Sequence, residues 1–202
     1  MSNGLLIVLT GPSGVGKGTV LSELLKIDKN IKLSVSATTR TPRTGEKDGC
    51  EYYFMSKKEF EKLIDDEGVL EYAEYCGNYY GTPRTPVFDM LNDGKDVILE
   101  IEVQGARQVR KSFKDCVSIF IMPPSHKELC KRLEGRGTED KATVEKRMNA
   151  ALSEIKEAVN FDYVVVNDKV PECVNRILGI IQSEKLRAKR NKIFIKDVLV
   201  NA

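Results

Sequence analysis

The sequence predicts an α/β protein of three layers: a parallel sheet with helices on both faces, a small mixed α+β insertion and a helical lid. Three observations predict it. Apolar runs of strand length (Leu5–Leu9, Val97–Ile101, Cys116–Met122 and Phe161–Val166) alternate with helical patterns, as in a sheet built from β-α-β units. The first run leads through a glycine-rich turn directly into a helix. Residues 35–83 interrupt the alternation with short strand-like pieces around one short helix.

The opening strand ends at Gly11-Pro12-Ser13-Gly14-Val15-Gly16-Lys17-Gly18-Thr19, and Val20, Leu21, Leu24 and Leu25 continue as a helix. Strand, G-x-x-x-x-G-K loop and helix in that order form a phosphate-binding loop. Glycines let successive N–H groups curl around a phosphate chain, Lys17 reaches its outer phosphates, and the helix dipole points at the same anion. The next position, which usually offers a hydroxyl to Mg²⁺, is Gly18, and the first hydroxyl is Thr19. Neighbouring helical residues point about 100° apart, so Thr19 does not simply replace that ligand.

Ile31–Ser36 reads as a strand, followed by a polar loop carrying Arg40 and Arg43, a second place suited to an anion. Glu51–Phe54 is a short strand, and Ser56 with Glu59 forms a capping box ahead of a helix through Phe60, Leu63 and Ile64. Val69–Tyr75 and Asn78–Gly81 make a hairpin. Thr85-Pro86 opens a helix with proline at its first position, and Gly94 closes it. Glu100 and Glu102 share one face at the carboxyl end of the next strand, where open α/β sheets bind ligands.

Cys116–Met122 is a further strand, and Ser125 and Glu128 make a second capping box. Arg132, Arg136 and Arg147 surround Gly135 and Gly137, a pattern that suits a hinged, arginine-bearing lid. Phe161–Val166 reads as a last buried strand with Asn167 at its end, and Pro171 begins a helix. The tail cations Lys185, Arg187, Lys189, Arg190 and Lys192 read as a solvated face.

With 202 residues and 41% hydrophobic content, the chain can bury about 70% of its unfolded surface. Its 32 basic and 30 acidic residues leave +2, which supplies no field for nucleic acid or an anionic membrane. The five cysteines are odd in number and contain no C-x-x-C pair, so neither a zinc cage nor a disulfide framework is expected. The N-terminal apolar run is short and lacks a basic lead, and no run has the length of a membrane span, so a cytoplasmic protein is expected. The composition suits a monomer and a homo-oligomer alike.

Two anion-binding elements flanking a sheet end with carboxylates suggest two phosphate-bearing ligands facing each other. G-P-S-G-V-G-K at 11–17, S-V-S-A-T-T-R-T-P-R at 34–43, Y-C-G-N-Y-Y-G-T at 75–82, L-E-I-E-V-Q-G-A at 99–106 and R-L-E-G-R-G at 132–137 are similar, in order, to successive motifs of the guanylate kinase family. The strand ending in Asn167-Asp168 extends the likeness over most of the chain.

The resemblance implies a P-loop NTPase core (1–34, 84–124 and 155–202), a GMP-binding insertion (35–83) and a lid (125–154). Its activity would be transfer of a phosphoryl group from ATP to GMP, and to dGMP, with Mg²⁺. Gly11, Pro12, Ser13, Gly14, Val15, Gly16, Lys17, Gly18 and Thr19 would hold ATP, with Asn167 near adenine. Lys17, Arg132, Arg136 and Arg147 would surround the transferring group. Arg40 and Arg43, with Tyr52 and Tyr80, would hold the GMP phosphate. Ser36, Glu71, Thr82 and Glu102 would read or orient the guanine nucleotide. Thr19 and Glu100 are the candidate magnesium ligands, directly or through water. Glu102 stands where the family more often has aspartate, and Gly18 where many members have serine. Two alternatives stay open: a guanylate-kinase-like protein-interaction module without catalysis, and a kinase for another nucleoside monophosphate.

Overall fold

The computed structural model describes residues 4–134 and 141–200. The fully buried β1 (Leu6–Thr10) runs into the glycine loop, and α1 (Lys17–Ile27) begins directly after it. The strand expected over Ile31–Ser36 divides into β2 (Ile31–Leu33) and β3 (Ser36–Thr38), which belong to different sheets. Ser34 N–H, donating to Ile98 O, is the last link to the first sheet before the chain turns away. After β4 (Tyr52–Phe54), the reciprocal capping box of Ser56 and Glu59 starts α2 (Lys57–Asp65). β5 (Val69–Tyr75) and β6 (Asn78–Pro83) form an antiparallel hairpin.

α3 (Arg84–Asn92) starts earlier than expected, with Pro83 as its cap; Pro86 is its third residue, still within the first turn where a missing N–H costs nothing. β7 (Asp96–Glu100), α4 (Val103–Ser112), β8 (Val117–Met122), α5 (His126–Glu134) and α6 (Lys141–Lys156) follow. The chain closes with β9 (Tyr163–Val166), α7 (Val170–Lys185) and α8 (Lys192–Val200).

The central sheet has the order β2-β7-β1-β8-β9, all parallel, with Ile7 facing Ile98 on one side and Val117 on the other. Alternation along β1 sends Ile7 and Leu9 to one face and Leu6 and Val8 to the other. The first pair joins a core with Leu24 of α1 and Ile177 of α7; the second joins one with Val87 of α3 and Val109 of α4. Helices thus cover both faces, giving three layers. β9 is an edge strand rather than a buried one, and Val164 is half exposed. A second, mixed sheet, β4-β3-β6-β5, is built wholly from residues between Ser36 and Pro83.

The tail departs most from expectation. Lys185 pairs with the fully buried Asp96, Lys189 with Asp115, and Arg187 and Arg190 both reach Glu184, which also accepts from the Tyr163 hydroxyl. Four of the five cations read as solvated are therefore paired, and three of them, Lys185, Lys189 and Arg190, fasten the C-terminal segment to Asp96 and Asp115 at the amino ends of β7 and β8. No helix among the described residues is long and apolar enough to cross a membrane, and all five cysteines are free.

Candidate active site

The glycine loop lies at the carboxyl end of β1. Gly16 caps α1 at φ 93°, a conformation that strains any side chain, and its α-carbon faces the Asn167 carboxamide so closely that a Cβ would stand 2.8 Å from Nδ2. No side chain among the described residues caps α1, and its first turn holds no acidic residue, so the positive end of the helix dipole meets no carboxylate of its own turn. Lys17 folds back over the loop and donates to Gly11 O at 2.6 Å.

Two arginines brace this loop. Arg132 on α5 donates to Asn167 O at 3.0 Å and to Val15 O at 3.4 Å, with Glu128 holding its Nε. Arg147 on α6 donates to the Ser13 hydroxyl at 2.7 Å. Asn167 is buried under the loop, where its Nδ2 donates to Val15 O at 2.8 Å.

From the loop opens a cavity of about 570 Å³. One end is walled by Gly11, Ser13 and Lys17, the other by Ser36, Tyr52, Glu71 and Tyr80, with Glu100 and Glu102 between them. Glu71 is 7% exposed; burial pushes its pKa above the ordinary glutamate value, partly opposed by the Thr82 hydroxyl, which donates to Oε1 at 2.7 Å. Burial likewise raises Glu100, with Lys17 opposing. One wall thus holds a cation at a phosphate-type loop and the other a deep carboxylate, separated by a space of small-ligand size.

The guanylate kinase family model matches residues 3–184 of this chain. The chain belongs to the guanylate kinase family. It is 56% identical over 192 residues to the guanylate kinase of Latilactobacillus sakei subsp. sakei (strain 23K), covering 94% of this chain and 95% of that one. It is also 56% identical over 187 residues to that of Halalkalibacterium halodurans, covering 93% and 92%. The crystal structure of guanylate kinase from Anaplasma phagocytophilum superposes with a TM-score of 0.74 at 38% identity, covering 94% of this chain and 90% of that one.

In this guanylate kinase family member, five of the residues expected around the acceptor line the cavity: Ser36, Tyr52, Glu71, Tyr80 and Glu102. Thr82 does not; it stands behind Glu71, fully buried. Arg40 sits just outside, its guanidinium bonded to both oxygens of Glu46 at 2.9 and 3.0 Å and lying 5.5 Å from the Tyr52 ring centroid. Those Glu46 bonds raise the Arg40 pKa, and the same bonds, with the Arg43 N–H, lower that of Glu46. Arg43 is anchored through its N–H to Glu46 at 2.7 Å and is exposed.

Two expectations change, for Thr19 and for Glu102. Thr19 is exposed on α1 and takes no part in the cavity wall, because the helical step turns it away from the Lys17 side. Asn167 donates its Nδ2 to the Val15 carbonyl and holds its Oδ1 buried without a partner among the described residues. Glu102 is not a strand residue sharing a face with Glu100; β7 ends at Glu100, and Glu102 is the N-cap of α4, yet both reach the cavity. Arg136 and its flanking glycines lie outside the described residues.

Glu154 on α6 was not foreseen. It lines the cavity beside Ser13 and Lys17, and burial raises its pKa while the Lys17 charge and the Ser13 N–H oppose. Its signal is its spacing of seven residues from Arg147, two helical turns, which places both on one face toward Ser13.

Proposed function

We propose that the chain transfers the γ-phosphoryl group of ATP to GMP, and to dGMP, giving ADP and GDP or dGDP, in the purine nucleotide metabolism of the cytoplasm. The observation that carries this reading is the cavity with the Lys17 loop at one end and buried Glu71 at the other. Two anionic ligands entering from opposite ends meet tail to tail in it, as an in-line transfer requires.

On this reading, residues 1–34, 84–124 and 155–202 act as the core, 35–83 as the GMP-binding insertion and 125–154 as the lid. The loop N–H groups and Lys17 hold the ATP phosphates. Arg132, Arg136 and Arg147 neutralise charge on the phosphoryl group in transit, and closure excludes water that would otherwise accept it. Arg40, Arg43, Tyr52 and Tyr80 hold the GMP phosphate. Ionised Glu71 accepts guanine N1–H and the exocyclic amine, while Glu102 orients the nucleotide. The Thr82 hydroxyl has one proton and gives it to Glu71, so Ser36, which lines the cavity, is the donor to O6.

No cluster of three metal-ligating side chains forms among the described residues. Mg²⁺ suits such a site, since it is commonly held by one or two carboxylates together with substrate phosphates and water. Glu100, facing the cavity beside Lys17, would be that carboxylate, and the ion would supply charge neutralisation at the phosphates. The test is a coupled assay for ADP with ATP, Mg²⁺ and each nucleoside monophosphate in turn. Turnover with GMP and dGMP far above AMP, CMP and UMP is expected. Equal turnover among bases overturns the substrate, and no turnover overturns the enzyme reading.

A further inference from the structure

The base end of the cavity is closed by two pieces of chain that come together only in the fold: β5, which carries Glu71, and the first turns of α4, which continues from β7 of the central sheet. Gly105 of α4 stands directly against the Glu71 carboxylate. A Cβ at position 105 would lie 2.3 Å from Glu71 Oε2, 3.0 Å from Cδ and 3.3 Å from Cγ. The carboxylate has little room to retreat, because the residue is 7% exposed and Oε1 is held by the Thr82 hydroxyl at 2.7 Å.

One turn further along α4, and on the same face, Gln108 makes two bonds to the backbone of Tyr72, the residue next to Glu71. Its Nε2 donates to Tyr72 O at 2.8 Å, and its Oε1 accepts from Tyr72 N–H at 3.1 Å. β5 is the edge of the second sheet, so this carboxamide pairs an edge that has no neighbouring strand, as a further strand would. Two contacts three residues apart therefore join α4 to consecutive residues of β5. Gln108 fixes where the strand lies along the helix, and Gly105 makes the space into which Glu71 projects.

We propose that Gly105 and Gln108 are specificity-positioning residues for the base. Gln108 stands outside the cavity wall, and Gly105, which is part of that wall, offers the base no side chain. Together they set the depth and direction of the Glu71 carboxylate relative to α4, which also carries Glu102 at its N-cap, so that two in-plane donors of a guanine meet both of its oxygens. This rests on the reading of Glu71 as the group that accepts from guanine. A base whose edge lacks those donors gains nothing from the placement, so the consequence of disturbing it is loss of discrimination rather than general loss of turnover. At position 105 any side chain must displace the carboxylate or the helix that faces it. At position 108 loss of the carboxamide leaves the β5 edge unpaired and free to shift by the fraction of an ångström that a two-point hydrogen bond does not tolerate.

The experiment compares Gly105→Ala, Gln108→Ala and Glu71→Gln by steady-state kinetics with GMP, AMP and ATP, alongside thermal melting. Gly105→Ala and Gln108→Ala are each expected to lower the ratio of kcat/KM for GMP to that for AMP by about 10-fold or more. The change should enter through KM for GMP, with KM for ATP within about 2-fold of the parent and a cooperative melt retained. If Glu71→Gln itself leaves discrimination intact, the base-reading role of Glu71 fails and takes the proposal with it. If Glu71→Gln abolishes discrimination while both α4 variants keep it, the reading of Glu71 stands and the positioning role is wrong. Gln108→Ala introduces no clash, so it decides the matter should Gly105→Ala not fold. A fall in kcat with unchanged selectivity in that variant also overturns the proposal, since it marks a general packing role.

Discussion

Thr82 and Glu71 form a buried hydrogen bond of 2.7 Å between adjacent strands, with the hydroxyl donating and a carboxylate oxygen accepting. The bond leaves the other oxygen and the remaining lone pairs to face the cavity. Glu71→Gln keeps the size and can still accept from Thr82, but it offers guanine an amine where an acceptor is needed. We expect kcat/KM for GMP to fall about 100-fold or more, and the preference over AMP to collapse toward unity, with KM for ATP little changed. Steady-state kinetics with both monophosphates check this; wild-type selectivity would move the role to Glu102.

The same residue predicts a pH dependence of stability. Burial holds the Glu71 pKa above its ordinary value, so the folded state keeps this proton to higher pH than the unfolded chain does. Its contribution to stability is therefore fully present below the unfolded pKa and is lost as pH rises through the folded one. Glu71→Gln removes that loss. The variant should melt higher than the parent at pH about 8, by roughly 2–4 °C for each kcal/mol released, and equally at pH about 4, where both side chains are neutral. A constant difference across the range would show that ionisation is not the cause.

Lys17→Met removes the cation at the mouth of the glycine loop and its bond to Gly11 O. A loss of about 100-fold or more in kcat is expected, as for other preorganised charges aimed at a transition state, with the melting temperature little altered. Near-normal turnover would refute the assignment of this loop to the donor.

What the sequence made legible follows from range. The glycine loop between β1 and α1, and the Ser56 capping box, are patterns closed within a few residues, and both formed as expected. Periodicity could not tell that Ile31–Ser36 serves two sheets, because strand alternation carries no information about the partner. Nor could a run of basic residues reveal acceptors as distant as Asp96 and Asp115. At the site, Glu154 and Gly105 were missed for the same reason: one is an ordinary helical glutamate and the other an ordinary glycine until the fold sets Ser13 and Glu71 against them.

Glu184 tests the tail. Burial works against its charge, but bonds from Tyr163, Arg190 and Arg187 outweigh this and hold its pKa below the ordinary value. Glu184→Ala takes an acceptor from a phenol and two guanidinium groups, of which Arg190 keeps the Asp115 carbonyl, at the amino ends of the strands and away from the cavity. A loss of about 1–3 kcal/mol in stability is expected, discounted for the exposure of the arginines, with kinetic constants unchanged at temperatures where the variant is folded. Denaturant unfolding checks the first, and altered KM values would contradict the second.

The two arginines of the 39–45 loop separate by what already holds them. Both oxygens of Glu46 engage Arg40, whose guanidinium also lies over Tyr52 and Phe54, whereas Arg43 is exposed and tied through its backbone, its N–H donating to the Glu46 carboxylate and its carbonyl accepting from the Glu46 N–H. Arg43→Ala therefore subtracts a phosphate-facing charge and little else. KM for GMP should rise about 10–100-fold, the scale of one or two charge-assisted hydrogen bonds, while KM for ATP stays near the parent value. Arg40→Ala should do the same to GMP and in addition lower the melting temperature, because Glu46 loses its guanidinium partner, keeping only the Arg43 N–H, and the rings of Tyr52 and Phe54 lose their cover. The reverse pattern, a stability loss from Arg43→Ala and a purely kinetic effect from Arg40→Ala, would mean that Glu46 releases Arg40 when GMP binds and that the loop rearranges around the acceptor.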